Sequence, residues 1–185
     1  TPVANPLCLF APIQGAAINQ RIGRDARVFK IKIRGFIISH VQTNQTAMDE
    51  PAFVRIALVQ DMQTNATQAQ GEQVFQDPTT NSALIAANTF QALNNFGRFR
   101  VLKERTVILQ DPNASYDGTN VEVMGQIRQW KMSIKFRQPV VVRFNSQNGG
   151  TVADIIDNSF HILATCTSTN LAPEISYVCR VCFKE

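Results

Sequence analysis

Charge is scarce in this chain. Asp, Glu, Lys and Arg make up only 17% of its 185 residues, while Asn, Gln, Ser and Thr are abundant. A surface solvated mainly by neutral polar groups suits a protein that packs against copies of itself. With 44% apolar residues, wholesale disorder is excluded. No apolar run reaches the roughly 18 residues of a membrane helix, so no span is expected. Histidine is limited to His40 and His161, too few for the multi-His metal site of a cupin. Each reads as a satisfied strand residue. No G-x-S-x-G elbow, phosphate-binding loop or dinucleotide fingerprint occurs, so no catalytic residues and no cofactor are expected.

Cysteine is sparse too: Cys8, Cys166, Cys179 and Cys182. Cys179 and Cys182 resemble half a zinc site, but residues three apart on a strand point to opposite faces, and no second pair completes four ligands. Buried, reduced thiols of an intracellular protein are the expectation, with no metal. The turn acids Asp49, Glu50, Asp111, Asp117, Asp154 and Asp157 are a calcium candidate between subunits, although their spacing matches no calcium loop. Residues 1–20 contain no Lys or Arg; Pro2, Pro6, Pro12 and Gly15 mark them as an extended N-terminal arm segment, followed by a single domain over 21–185. No secretory signal opens the chain and Thr1 is no initiator residue, so further residues are expected upstream, either cleaved or missing.

What the sequence has is alternation. In Gln20–Ile38, QRIGRDARVFKIKIRGFII, Phe29, Ile31 and Ile33 fall on one face of an extended strand and Lys30, Lys32 and Arg34 on the other. The strand is predicted over 26–41. Others follow at 52–61, 97–110 and 125–137, where Trp130, Met132, Ile134 and Phe136 alternate with Lys131, Ser133, Lys135 and Arg137. Pro139 interrupts that strand, a new one begins at 140–144, and two more are predicted at 160–168 and 174–183. Asp117-Gly118 signals a hairpin. The connection over 62–95 is long enough to need a job. Twelve Phe against one Trp, with frequent Val, Ile and Thr, favour strands. An all-β antiparallel sandwich or jelly roll follows.

Taken in order, QRIGRDARVFKIKIRG, VRIALVQD, FGRFRVLKERTVIL and NGGTVADIIDNSFHILA resemble the capsid proteins of small circular single-stranded DNA viruses that encode a replication initiator. The chain is also similar to satellite plant virus coats such as that of satellite tobacco necrosis virus. The resemblance implies a single jelly roll of eight antiparallel strands in two sheets. It further implies a homo-oligomer of about 60 copies forming an icosahedral shell, a virion component assembled inside the host cell, the nucleus included. Its cargo would be single-stranded nucleic acid bound without sequence preference, an Arg/Lys-rich arm would reach inward, and a host receptor is left open. About 60 copies at a net charge of +4 fall well short of a genome of roughly a thousand nucleotides, so an upstream arm or counterions must contribute.

With the strands labelled B to I, the resemblance groups B-I-D-G into one sheet. Lys30, Lys32 and Arg34 of B would then lie beside Arg180 and Lys184 of I and beside Arg98 and Arg100 of D. Arg21, Arg24 and Arg27, just before B, mark where an arm turns inward. These ten cations are the candidate nucleic-acid contacts, touching phosphates rather than bases. Phe29, Phe99, Trp130 and Phe136 are assigned to the core, on the face opposite the cations, so they form no base-stacking platform and no sequence-specific recognition is expected. The alternatives are an ordinary solvated sheet face and, for the whole chain, a satellite RNA virus coat, a secreted trimeric jelly-roll ligand or a glycan-binding module.

Overall fold

The computed structural model describes residues 4–39, 52–76, 89–109, 114–116, 121–123, 127–167 and 173–185. Within these, the strands are β1 (Ala4–Cys8), β2 (Asp25–Ser39), β3 (Ala52–Asp61), β4 (Phe99–Leu109), β5 (Ala114–Tyr116), β6 (Val121–Val123), β7 (Ile127–Phe144), β8 (Ile155–Asp157), β9 (Ser159–Cys166) and β10 (Pro173–Lys184). One sheet has the order β1-β9-β3-β4 and the other β10-β2-β7-β8. All pairings within both are antiparallel. The chain is therefore an all-β sandwich of two four-stranded sheets. The pairs β2–β10 and β3–β9 nest as in a rolled hairpin, the jelly-roll trait. β5 and β6 pair antiparallel, with Tyr116 opposite Val121, and the Asp117-Gly118 signal between them lies outside the described residues.

Alternation builds the interior. Ile31, Ile33 and Ile37 of β2 point inward and meet Val54, Ile56 and Leu58 of β3, Trp130 and Met132 of β7, and Phe160 and Ile162 of β9. Each fully buried large side chain contributes about 1.5–3 kcal/mol. Gly35 sits where Trp130 crosses β2: a Cβ there would meet the indole ring at 2.9 Å. β3 and β9 are buried on both faces. Behind them Ala57, Val59 and Leu163 pack under Ala69, Val74 and Phe75 of the segment around the one-turn helix α1 (Gly71–Val74). The described part of the long connection, through Phe75, thus roofs the outer face of this sheet.

Several expectations are corrected. β7 is one strand of 18 residues rather than two. Pro139 is absorbed where the register jumps from Val28↔Val140 to Lys30↔Lys135, a stretch where β7 has no ladder partner and needs no N–H there. Phe29 is bulged out against β10 and is 37% exposed, so it is not a core residue. Residues 4–8 form an edge strand on β9, and Phe10 is buried 5.0 Å from the ring of Phe183, so this stretch is built into the sandwich. Most consequentially, β4 does not join β2 and β10 in one sheet. It pairs with β3, and β7 occupies the place beside β2.

Candidate nucleic-acid interface

The outward face of the β10-β2-β7 layer is ordered by its register. Lys184 of β10 stands opposite Arg27 of β2. Lys30 stands opposite Lys135 of β7, Lys32 opposite Arg180, and Arg34 opposite Lys131. Along successive rows of the sheet, a cation therefore faces a cation across the strand gap. Facing side chains lie about 4.5–5.5 Å apart at Cβ, where like charges destabilise a sheet by some tenths of a kcal/mol to about 1 kcal/mol. A face selected only for solvation would alternate signs. Of the ion pairs among the described residues, Arg55–Glu104 at 2.7 Å and Arg98–Asp61 at 2.9 Å lie elsewhere, while Arg143–Asp157 at 2.5 Å closes these rows at one end, where Arg143 also stands opposite Asp25 of β2.

β4 adds to this face from the opposite sheet. Where its edge nears β7, Lys103 Nζ donates to the Ser133 carbonyl at 3.1 Å and Arg105 Nη1 to the Lys131 carbonyl at 3.4 Å. These side chains bank a cleft of about 450 Å³ with Lys32, Arg34 and Lys131. Glu104 also borders it, but its carboxylate accepts from Arg55. Farther along the seam Arg100, Lys135 and Arg137 line a cleft of about 580 Å³. The surface is thus grooved, basic and continuous from β10 to β4.

The predicted contacts divide. Arg27, Lys30, Lys32, Arg34, Arg180 and Lys184 share the face, and Arg100 reaches its seam from the other sheet. Arg24 is exposed just before β2, close to where Glu185 accepts from the Ile22 and Gly23 backbone. Arg21 and Arg98 do not belong. Arg21 is 1% exposed, stacks on Phe144 and donates to the carbonyls of Gly23 at 2.7 Å and Gln147 at 2.9 Å. Arg98 clamps the fully buried Asp61 through Nε and Nη2 at 3.0 and 2.9 Å, and the hydrogen bonds to Asp61 raise its pKa further. Both are structural arginines.

Lys103, Arg105, Lys131, Lys135 and Arg137 were missing from the sequence-based set. WKMSIKFR carries the same alternation as β2, but only strand pairing shows that the two stretches are neighbours. Phe36 was missed as well: it is 48% exposed on the cationic face, one row beyond Arg34 and between Ser176 and Gln129. Its position has the same parity as Lys30, Lys32 and Arg34, so the alternation that placed those cations also placed Phe36 beside them.

The other described candidates are buried or engaged in structural contacts. His161 is buried, with Nε2 2.7 Å from Ser159 Oγ, which in turn accepts from Thr64 Oγ1 at 2.8 Å. Burial lowers its pKa to about 4 against the opposing pull of Asp61. Ser159 is fully buried as well, so no substrate reaches the pair. Burial pushes the Cys179 thiol up to about 11, which makes it a poor nucleophile. Among the described residues no group of three His, Cys, Asp or Glu side chains is placed to hold a metal ion. Asp154 caps the turn at Thr151, whose N–H donates to it at 2.9 Å. His40, Asp49, Glu50, Asp111 and Asp117 lie outside the described residues. Among the described residues no helix is long and apolar enough to cross a membrane. Compared with models of known protein families and with curated proteins, the chain matches none.

Proposed function

We propose that this chain is a non-enzymatic capsid protein that assembles with copies of itself, about 60 per particle, into a small icosahedral shell around single-stranded DNA. The virion is then its location, and the basic face of the β2 sheet lines the interior. The resemblance of the ordered strand motifs suggests the reading, and one observation carries it: cations face cations in register at Arg27–Lys184, Lys30–Lys135, Lys32–Arg180 and Arg34–Lys131. A polyanion threading these rows relieves the repulsion, and it does so through phosphates alone, without reading sequence. Phe36 adds a stacking surface that accepts any base.

Electron microscopy of the purified protein, read with absorbance at 260 and 280 nm, tests the proposal. Uniform closed particles of roughly 1.2 MDa, for about 60 copies of a 20.6 kDa chain, with excess absorbance at 260 nm are the expected result. A trimer free of nucleic acid across salt and pH would overturn it and favour a secreted ligand. Nuclease digestion of the extracted cargo separates DNA from RNA.

A further inference from the structure

β10 ends its sheet. β2 covers one edge along Pro173–Lys184 and, among the described residues, no strand covers the other. Proteins usually blunt an edge this long with prolines, inward charges or bulges. Here Pro173 stands only at the start and the bulge falls on β2 rather than β10. The inward-facing side chains Ile175, Tyr177, Cys179, Val181 and Phe183 pack on the core yet remain half-buried, and Val178 on the outer side is 72% exposed.

We propose that this edge pairs with β10 of a second copy, antiparallel about a two-fold axis at Cys179. The strand is complementary to itself in that register. Glu174 falls opposite Lys184 of the second copy, and by symmetry Lys184 falls opposite Glu174. Inward, Ile175 meets Phe183 and Tyr177 meets Val181, which completes the burial of the half-covered row. A register centred on Arg180 instead would set that guanidinium against its own copy. Pairing joins two β2 sheets into one continuous sheet, so the basic rows run on across the axis. The contact does not depend on the capsid reading: it requires a dimer whether or not shells form.

In this register Ser176 lies opposite Cys182 of the second copy, at a separation that a disulfide spans. Cys179 falls opposite its own copy at the axis, so the test is made in a Cys179→Ser background. There Ser176→Cys under mild oxidation is expected to give a dimer on non-reducing gels, with peptide mass spectrometry joining the introduced thiol to Cys182. Adding Cys182→Ser should abolish it, and Ser133→Cys, on β7 of the same face, should give none. In sedimentation experiments Glu174→Lys is expected to raise the dimer dissociation constant roughly tenfold, and adding Lys184→Glu to restore it. A monomer at every concentration with no cross-link, or a charge exchange that fails to restore pairing, overturns the proposal.

Discussion

Lys32 and Arg180 stand directly opposite one another on β2 and β10, with Ser133 completing the row on β7. Both are exposed, and neither belongs to the ion pairs found among the described residues. An isolated pair of this kind is a small defect. Repeated in register beside Lys30–Lys135 and Arg34–Lys131, it becomes a surface that is more stable with an anion on it than without one.

Lys32→Glu should therefore stabilise the free protein while weakening its hold on nucleic acid. Turning one like-charge row into an ion pair is worth about 1 kcal/mol, or about 2–4 °C in melting temperature for a domain of this size. Thermal melts at low salt, beside binding to a labelled single-stranded oligonucleotide, check both halves. A variant that is less stable and binds equally well contradicts the argument.

Phe36→Ala is expected to lower oligonucleotide affinity by about 1–3 kcal/mol, the value of one stacked base, with little difference between base compositions. Its salt dependence should match that of the parent, because no phosphate contact is lost. Fluorescence titration at several salt concentrations separates the two effects.

Arg98 and Arg100 are two residues apart and should behave differently. Arg98→Ala leaves the buried Asp61 carboxylate uncompensated, at a cost of about 3–5 kcal/mol. Arg100→Ala removes an exposed seam cation and should leave stability within about 0.5 kcal/mol. Urea denaturation of both variants measures the contrast.

His161 gives the fold a pH dependence of definite sign. Its pKa is about 4 in the folded chain against an ordinary 6.5, because burial disfavours the imidazolium. Between these values the unfolded state binds more protons. The contribution is whole above about pH 6.5 and is lost as pH falls towards 4, up to about 3 kcal/mol. The parent should lose more stability between pH 7 and 4.5 than His161→Gln does, as read by urea midpoints at both values.

Alternation made the strands legible. Ile31 and Ile33 inward with Lys32 and Arg34 outward follow from a period of two, and the sandwich follows from enough such strands. Register was not legible. The neighbours of Lys30 and Lys32 depend on which strand lies beside β2, and that is decided by long-range packing such as Trp130 against Gly35. The expected partner β4 was thus placed in the wrong sheet, and Lys131 and Lys135 were left out of the site. Arg21 and Arg98 show the converse error. In sequence a cation reads as surface, and only its partners, Phe144 for one and Asp61 for the other, show it to be interior.

The central claim is that the β2 rows bind phosphates, and the salt dependence of single-stranded DNA binding tests it most directly. On a double-logarithmic plot each phosphate contact contributes about 0.7 to the slope for a single strand. Replacing Lys30, Lys32 and Arg34 together by Ala should reduce the slope by about 2 and lower affinity at every salt concentration, with the fold intact by circular dichroism. An unchanged slope in the folded variant would place the phosphate contacts elsewhere and contradict the account.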